Sequence, residues 1–118
     1  MKTMNRFILH VEGLAVLILS VFFYFSLDFS WVLFVVLLFI PDISMIGYMY
    51  NTSVGAIFYN IFHSYILPIA VVGIGTLFSV PVLLAVGLIW ISHIGMDRMI
   101  GYGLKYPTDF KDTHMQRI

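Results

Sequence analysis

Four long runs of apolar residues, separated by short polar breaks, dominate the sequence. They predict helices at roughly 7–27, 31–50, 54–78 and 80–99. Each run has about 20 residues, enough to cross a hydrocarbon core at a rise of about 1.5 Å per residue. None has the polar face that an outer helix of a soluble protein needs. The pattern therefore predicts an all-α integral membrane protein, with residues 1–118 forming a single membrane domain.

The breaks between the runs carry turn and capping chemistry. Asn51 and the two hydroxyl residues after it are suited to an N-cap before the third helix. Ser79 is a candidate N-cap for the fourth helix, with Pro81 in the first turn, where proline is tolerated. Such short connections make neighbouring helices antiparallel, which predicts an up-down four-helix bundle. We expect residues 100–118 to form an interfacial tail on the cytoplasmic side.

Composition and charge agree with a membrane protein. Hydrophobic residues make up 61% of the chain and charged residues only 10%, too few to cover a soluble globule of this size. The net charge is zero, which argues against a nucleic-acid partner, and the absence of cysteine excludes disulfides and thiolate metal sites. All the lysines and arginines flank the same end of the predicted bundle, namely Lys2, Arg6, Arg98, Lys105, Lys111 and Arg117. The positive-inside rule then puts both termini in the cytoplasm, N-in/C-in, in the cell inner (plasma) membrane with the lipid bilayer as partner.

Ionisable residues interrupt all four apolar runs at a similar depth. At about 1.5 Å per residue, Glu12 lies about 8 Å from the cytoplasmic end of its helix and His63 about 14 Å from the same face. Imidazole and carboxylate groups suit a divalent metal such as Zn, Fe or Mn. We therefore predict Asp42, His63, His93 and Asp97 as metal ligands and Glu12 as a ligand or catalytic base. Supporting residues are Tyr59 and Asn60, one turn before His63, and His114, which is an extra ligand if the tail folds back.

Several functions fit this polar group. A metal with an open position would make the protein a membrane-bound metal-dependent hydrolase acting on a lipid-like substrate. Alternatively, the same groups relay protons in a small transporter, which would need a homo-oligomer to form a pathway. Haem b held between His63 and His93 is a third hypothesis. A fourth hypothesis is a non-enzymatic accessory protein. In that case the polar residues only fix the register of the helices, or Asp97 pairs with Arg98 or Lys105.

Three segments and the closing residues resemble a known family. They are residues 41–48 (PDISMIGY), 59–65 (YNIFHSY), 93–107 (HIGMDRMIGYGLKYP) and 110–114 (FKDTH). Together they resemble the bacterial membrane family catalogued as domain of unknown function 4260, over almost the whole chain. The resemblance implies a small four-span membrane protein and no particular activity. It also implies that Asp42, His63, His93, Asp97 and His114 belong to the family's motifs.

Overall fold

The computed structural model describes residues 2–117, and side chains within residues 3–117. Within that range the protein is all-α, as predicted, with one isolated bridge between Lys105 and Thr113. Its elements are α1 (Lys2–Ser26), α2 (Trp31–Leu37), a 3-10 segment (Ile40–Met49), α3 (Thr52–His63), α4 (Ile66–Leu77), α5 (Pro81–Ile100) and α6 (His114–Arg117).

Four stretches are long and apolar enough to cross a membrane. They are Thr3–Ser26, Trp31–Met49, Thr52–Leu77 and Pro81–Ile100. Large apolar side chains on these stretches face outward, among them Phe22, Trp31, Ile46 and Ile66. A bilayer requires an apolar outer surface and backbone N–H and C=O groups that are hydrogen-bonded within the helices. The chain is therefore a multi-pass membrane protein.

The second predicted helix is not one continuous α-helix. It ends as α-helix at Leu37 and resumes as the 3-10 segment, in which Pro41 occupies the first turn. Proline cannot supply the N–H that an α-helical interior needs, so the backbone changes to a tighter winding here. The N–H of Asp42 bonds the carbonyl oxygen of Phe39 at 3.1 Å, three residues back. This change of winding holds Asp42 in the first turn of the 3-10 segment.

The third predicted helix is also broken, into α3 and α4. The break falls at Ser64, whose backbone is extended (φ −93°, ψ 147°). It places Pro68 in the first turn of α4, where a missing N–H costs nothing. As a result α3 ends at His63, and the backbone carbonyl of His63 is free to accept a hydrogen bond from outside its own helix.

The predicted caps are partly right. Asn51 caps α3, since its side-chain oxygen accepts from the N–H of Val54 at 2.8 Å. The prediction for Ser79 is wrong: Val80 is the residue before α5, and Ser79 adopts a left-handed backbone with φ of 56°. Pro81 does begin the helix, as predicted. The turn needs a left-handed residue at Ser79, and that conformation rules out the extended backbone of an N-cap.

Helix α5 is the centre of the packing. In the most apolar 18 residues of α5, 56% are buried, against 17% in the most apolar 18 residues of each of the other three membrane-spanning stretches. Helices α1, α2 and α4 all contact α5, while α3 packs against the 3-10 segment. Gly13 of α1 meets α5 so closely that an added Cβ would lie 2.6 Å from the backbone nitrogen of Met99. This close approach between small residues fixes which face of α1 turns toward α5.

The residues after α5 fold back onto the helices. Gly101 ends α5 in a left-handed conformation (φ 104°). Arg6 of α1 then donates to the backbone carbonyls of Met115 at 3.1 Å and Gln116 at 3.1 Å. Lys105, Thr113 and Met115 are buried, although they lie in the polar part of the sequence. We refer to residues 101–117 as the tail.

Candidate metal centre

The predicted ligands come from three elements that meet at one point. Asp42 lies in the first turn of the 3-10 segment, and His63 is the last residue of α3. His93 and Asp97 are four residues apart on the buried face of α5. Both proline-induced changes of winding thus sit beside a ligand. The four side chains form a single group with one potential ligand atom from each residue, all within 4.8 Å of one another.

Five distances define the geometry of this group. Oδ1 of Asp42 lies 3.1 Å from Nε2 of His63 and 3.1 Å from Nε2 of His93. Oδ2 of Asp97 lies 3.5 Å from Nε2 of His63 and 3.3 Å from Nε2 of His93. The two Nε2 atoms are 3.2 Å apart. The donor atoms therefore face a common point.

The four side chains of the group differ in exposure. Both histidines are 0% exposed and the Asp97 side chain is 8% exposed, whereas the Asp42 side chain is 33% exposed. Three of these side chains are thus enclosed by the protein, and Asp42 is the most exposed of the four.

His63 is held firmly by its surroundings. Its Nδ1 is 2.9 Å from the carbonyl oxygen of Tyr59, and the Tyr59 ring stacks on the imidazole at a centroid distance of 3.7 Å. A carbonyl only accepts, so Nδ1 is the donor, and the Nε2 of the neutral ring carries a lone pair directed at the group. Arg98 also donates to the backbone carbonyl of His63 at 2.7 Å. This is the outer support that orients a metal-binding histidine.

His93 lacks the same support. Its Nδ1 is buried and has no hydrogen-bond partner among the described residues. The Phe39 ring packs edge-on against the imidazole, with the centroids 6.1 Å apart. The orientation of His93 therefore depends on packing and on its contacts inside the four-residue group.

The predicted supporting residue Asn60 anchors the tail. Its Oδ1 accepts from the N–H of Lys105 at 2.6 Å, and its Nδ2 donates to the Lys105 carbonyl at 2.8 Å. The Lys105 ammonium in turn lies 4.6 Å from the ring centroid of Tyr59 and 3.7 Å from that of Phe110. Burial lowers the pKa of Lys105. Through Tyr59, which stacks on His63, the tail is linked to the four-residue group.

Glu12 and His114 do not join the group. Glu12 is exposed, because the face of α1 that packs on α5 is the neighbouring one containing Gly13. Both residues line a different cavity of about 520 Å³, together with Ser64, Tyr65 and Arg98. His114 accepts the N–H of Leu104 on its Nδ1 at 2.8 Å. The tail does fold back, but it brings His114 to this cavity and not to the predicted ligands.

A second, mostly apolar cavity of about 650 Å³ is lined by residues next to Asp42 in the chain, although none of the four side chains of the group lines it. Pro41 and Ser44, on either side of Asp42, contribute to its wall, as do Phe62 and Trp90. The indole N–H of Trp90 donates to the Phe62 carbonyl at 2.7 Å, so this polar atom is already satisfied. The cavity thus borders the 3-10 segment that holds Asp42.

Comparison with known proteins identifies the family. The model of the family described as Domain of unknown function (DUF4260) matches residues 6–118. The chain belongs to this family. No curated protein and no solved structure matches it.

The segments that carry the resemblance to DUF4260 are the ones that converge in the fold. One supplies Asp42, another His63, and the third supplies both His93 and Asp97. Sequence reasoning used Arg98 and Lys105 as cytoplasmic-side charges and as alternative partners of Asp97, but missed that both are buried. The available signal was that Arg98 directly follows a ligand on an apolar helix.

Proposed function

We propose that this member of DUF4260 is a membrane metalloprotein whose divalent metal is bound by Asp42, His63, His93 and Asp97. The supporting observation is the set of distances of 3.1–3.5 Å between the donor atoms. With metal–ligand bonds of about 2.0–2.1 Å, the donors of a tetrahedral zinc site are about 3.3–3.4 Å apart. Five of the six donor–donor distances therefore match a tetrahedral site, and the sixth, between the two carboxylates, lies within 4.8 Å.

The charges of the group also favour a metal. Two carboxylates meet two imidazoles in a mostly buried space, and the carboxylates repel each other unless a proton on a histidine or a metal ion lies between them. Protonating both histidines would place two N–H groups of like charge 3.2 Å apart. One divalent ion balances both carboxylates and satisfies both imidazoles.

Zinc fits this donor set best. Two imidazole nitrogens and two carboxylate oxygens at tetrahedral spacing are typical of zinc, whereas manganese prefers six oxygen-rich ligands. Haem b does not fit. Two axial imidazole nitrogens on opposite sides of one metal are about 4 Å apart, twice a bond of about 2.0 Å, but these Nε2 atoms are 3.2 Å apart.

We further propose that the centre hydrolyses a membrane-partitioned substrate. Asp42 is the most exposed of the four side chains, and its chain neighbours Pro41 and Ile43 line the apolar cavity, so a lipid-like substrate would approach along this segment. A divalent metal polarises a carbonyl or phosphoryl oxygen and acidifies water. Four protein ligands would fill a tetrahedral site, so hydrolysis would require the exposed Asp42 to leave the metal and open a position for water. The released Asp42 carboxylate would then accept the proton of the attacking water and return it to the leaving group. This role replaces the one predicted for Glu12.

The hydrolase proposal is tested with purified protein and a panel of lipid ester and phosphoester probes. We expect turnover that a chelator abolishes and added zinc restores, and that Asp42→Asn lowers about 10²- to 10⁴-fold. Asp109→Asn removes an exposed carboxylate of the tail and should leave the rate unchanged. Absence of turnover with any probe, or full activity of Asp42→Asn, would count against hydrolysis while leaving metal binding to be measured separately.

A proton-coupled carrier is the second candidate. It is favoured by four ionisable groups within contact distance of one another in membrane-spanning stretches. It would act as a homo-oligomer, since one protomer offers little room for a pathway. Proton uptake into liposomes by metal-free protein, together with an oligomeric mass, would favour this function over hydrolysis.

We also propose the up-down topology with both termini in the cytoplasm. Five of the six cations used for this inference have described side chains, and that of Lys2 lies outside them. The chain contains no cysteine, so single cysteines report sidedness cleanly. Cysteines at Asn5, Ser53 and Lys111 should react only with permeant reagents in whole cells. Those at Leu27 and Phe78 should react with impermeant ones, and the opposite pattern would reverse the orientation.

A further inference from the structure

The cavity that contains Glu12 has opposite charges that do not pair. Arg98 and Glu12 both line it. Among the described residues neither forms an ion pair within 4.0 Å, although Arg98 is only 8% exposed. A buried cation in a membrane protein is costly unless an anion balances it. The cavity thus holds one positive and one negative group that are too far apart to satisfy each other.

The side of the cavity near Arg98 is rich in hydrogen-bond donors. Arg98 uses two of its five N–H groups on the carbonyls of His63 and Tyr102, which leaves further donors. His114 accepts on Nδ1, so its neutral ring carries a proton on Nε2. Ser64 accepts the N–H of Ile66 on its Oγ, which leaves the hydroxyl proton free to donate. Tyr65 adds a hydroxyl with no hydrogen-bond partner among residues 2–117.

The position of the cavity indicates the source of its ligand. Leu104 and His114 belong to the tail that follows the last membrane-spanning stretch, so the cavity reaches that end of the helices and extends from there to Ser64 in the middle of the Thr52–Leu77 stretch. The rest of its wall is apolar and comes from α1, including Leu9 and Val16. Lipid head groups occupy the interface at the ends of membrane-spanning helices, with their chains along the apolar surface.

We propose that this cavity binds the head group of a zwitterionic phospholipid that carries a primary amine, a phosphoethanolamine group. The phosphate accepts from Arg98, His114, Tyr65 and Ser64, because guanidinium and multiple donors suit phosphate oxygens. The ammonium donates to Glu12. A purely anionic head group satisfies Arg98 but leaves Glu12 facing another negative charge. The proposal does not require a metal at the neighbouring centre.

The test measures binding of phosphatidylethanolamine and phosphatidylglycerol to the purified full-length protein by native mass spectrometry. We expect a preference for phosphatidylethanolamine, which Glu12→Gln reduces about 10- to 100-fold through loss of one charge-assisted contact. Tyr65→Phe should weaken both lipids about equally. Asp28→Asn, which removes an exposed carboxylate in the turn after α1, should retain the wild-type preference.

Two further arms decide the identity of the ligand and of the site. Displacement of the lipid by millimolar O-phosphoethanolamine would support recognition through the head group, whereas binding of the soluble compound without binding of the lipid would overturn the lipid assignment. Equal affinity of the wild type for both lipids, or an unchanged preference in Glu12→Gln, would overturn the proposal. Metal content is measured on the same samples, and a loss of metal in Glu12→Gln would assign Glu12 to the metal centre instead.

Discussion

Replacing Asn60 by alanine should release the tail while leaving the helices in place. The Asn60 amide makes two hydrogen bonds to the backbone of Lys105, at 2.6 Å and 2.8 Å. Lys105 is only 4% exposed, so water cannot easily replace them. Each such bond contributes about 0.5–1.5 kcal/mol, so the docked tail should lose about 1–3 kcal/mol. That loss raises the opening equilibrium of the tail about 5- to 160-fold.

Hydrogen exchange followed by mass spectrometry measures this opening. We expect faster exchange at the amides of residues 104–106 and 113–115, and unchanged exchange within α5. Asn5→Ala makes the same chemical change at an exposed position of α1 and should not alter exchange in the tail. Wild-type exchange of the tail in Asn60→Ala would refute the view that Asn60 anchors it.

Two further predictions concern packing and pH. An alanine Cβ at Gly13 would lie 2.6 Å from the Met99 backbone nitrogen, so overpacking in Gly13→Ala should cost about 1–3 kcal/mol of unfolding free energy and lower the melting temperature. The alanine Cβ in Gly73→Ala meets nothing within 4 Å, so this control should not lower the melting temperature. A lower melting temperature for Gly73→Ala than for Gly13→Ala would contradict this account of the α1–α5 contact. Burial, and then the charge of Arg98, lower the pKa of His114 in the folded state. The undocked tail therefore binds the proton more tightly, and docking should be complete above about pH 6.5 and weaken as the pH falls below it. Exchange protection of the tail, corrected for intrinsic rates, should fall between pH 7 and pH 5 in the wild type and stay constant in His114→Gln.

The membrane-spanning stretches and the four candidate ligands could be predicted from the sequence because they depend on local properties. Apolar length alone gives the spans. The spacing of His93 and Asp97 puts them on one helical face, and the helix rise gives the common depth of Asp42 and His63. The same reasoning failed for Glu12, because depth along a helix says nothing about rotation around it. The close contact of Gly13 with α5 decides that rotation, and it depends on a residue 80 or more positions away.

The helix breaks and the tail could be predicted only in part. Pro41 and Pro68 indicated irregular backbone, but not that Pro41 would lie in the first turn of a 3-10 segment or that α3 would end at His63, five residues before Pro68. The burial of Lys105 results from long-range contacts with Asn60 and Tyr59, which no local pattern in the tail reports. His114 was predicted as an extra ligand only if the tail folds back; the tail does fold back, but it brings His114 to the cavity that contains Glu12, which depends on the same kind of long-range contact.

Metal content of the purified protein tests the central claim most directly. The chain, extracted in detergent without chelator, should contain about one equivalent of divalent metal by elemental analysis, with zinc the main ion. The double variant His63→Ala, His93→Ala should contain none. His10→Ala removes a histidine that bonds the Met99 carbonyl outside the group and should keep the metal. A wild-type protein that stays metal-free after incubation with zinc, or a double variant that retains the ion, would contradict the account.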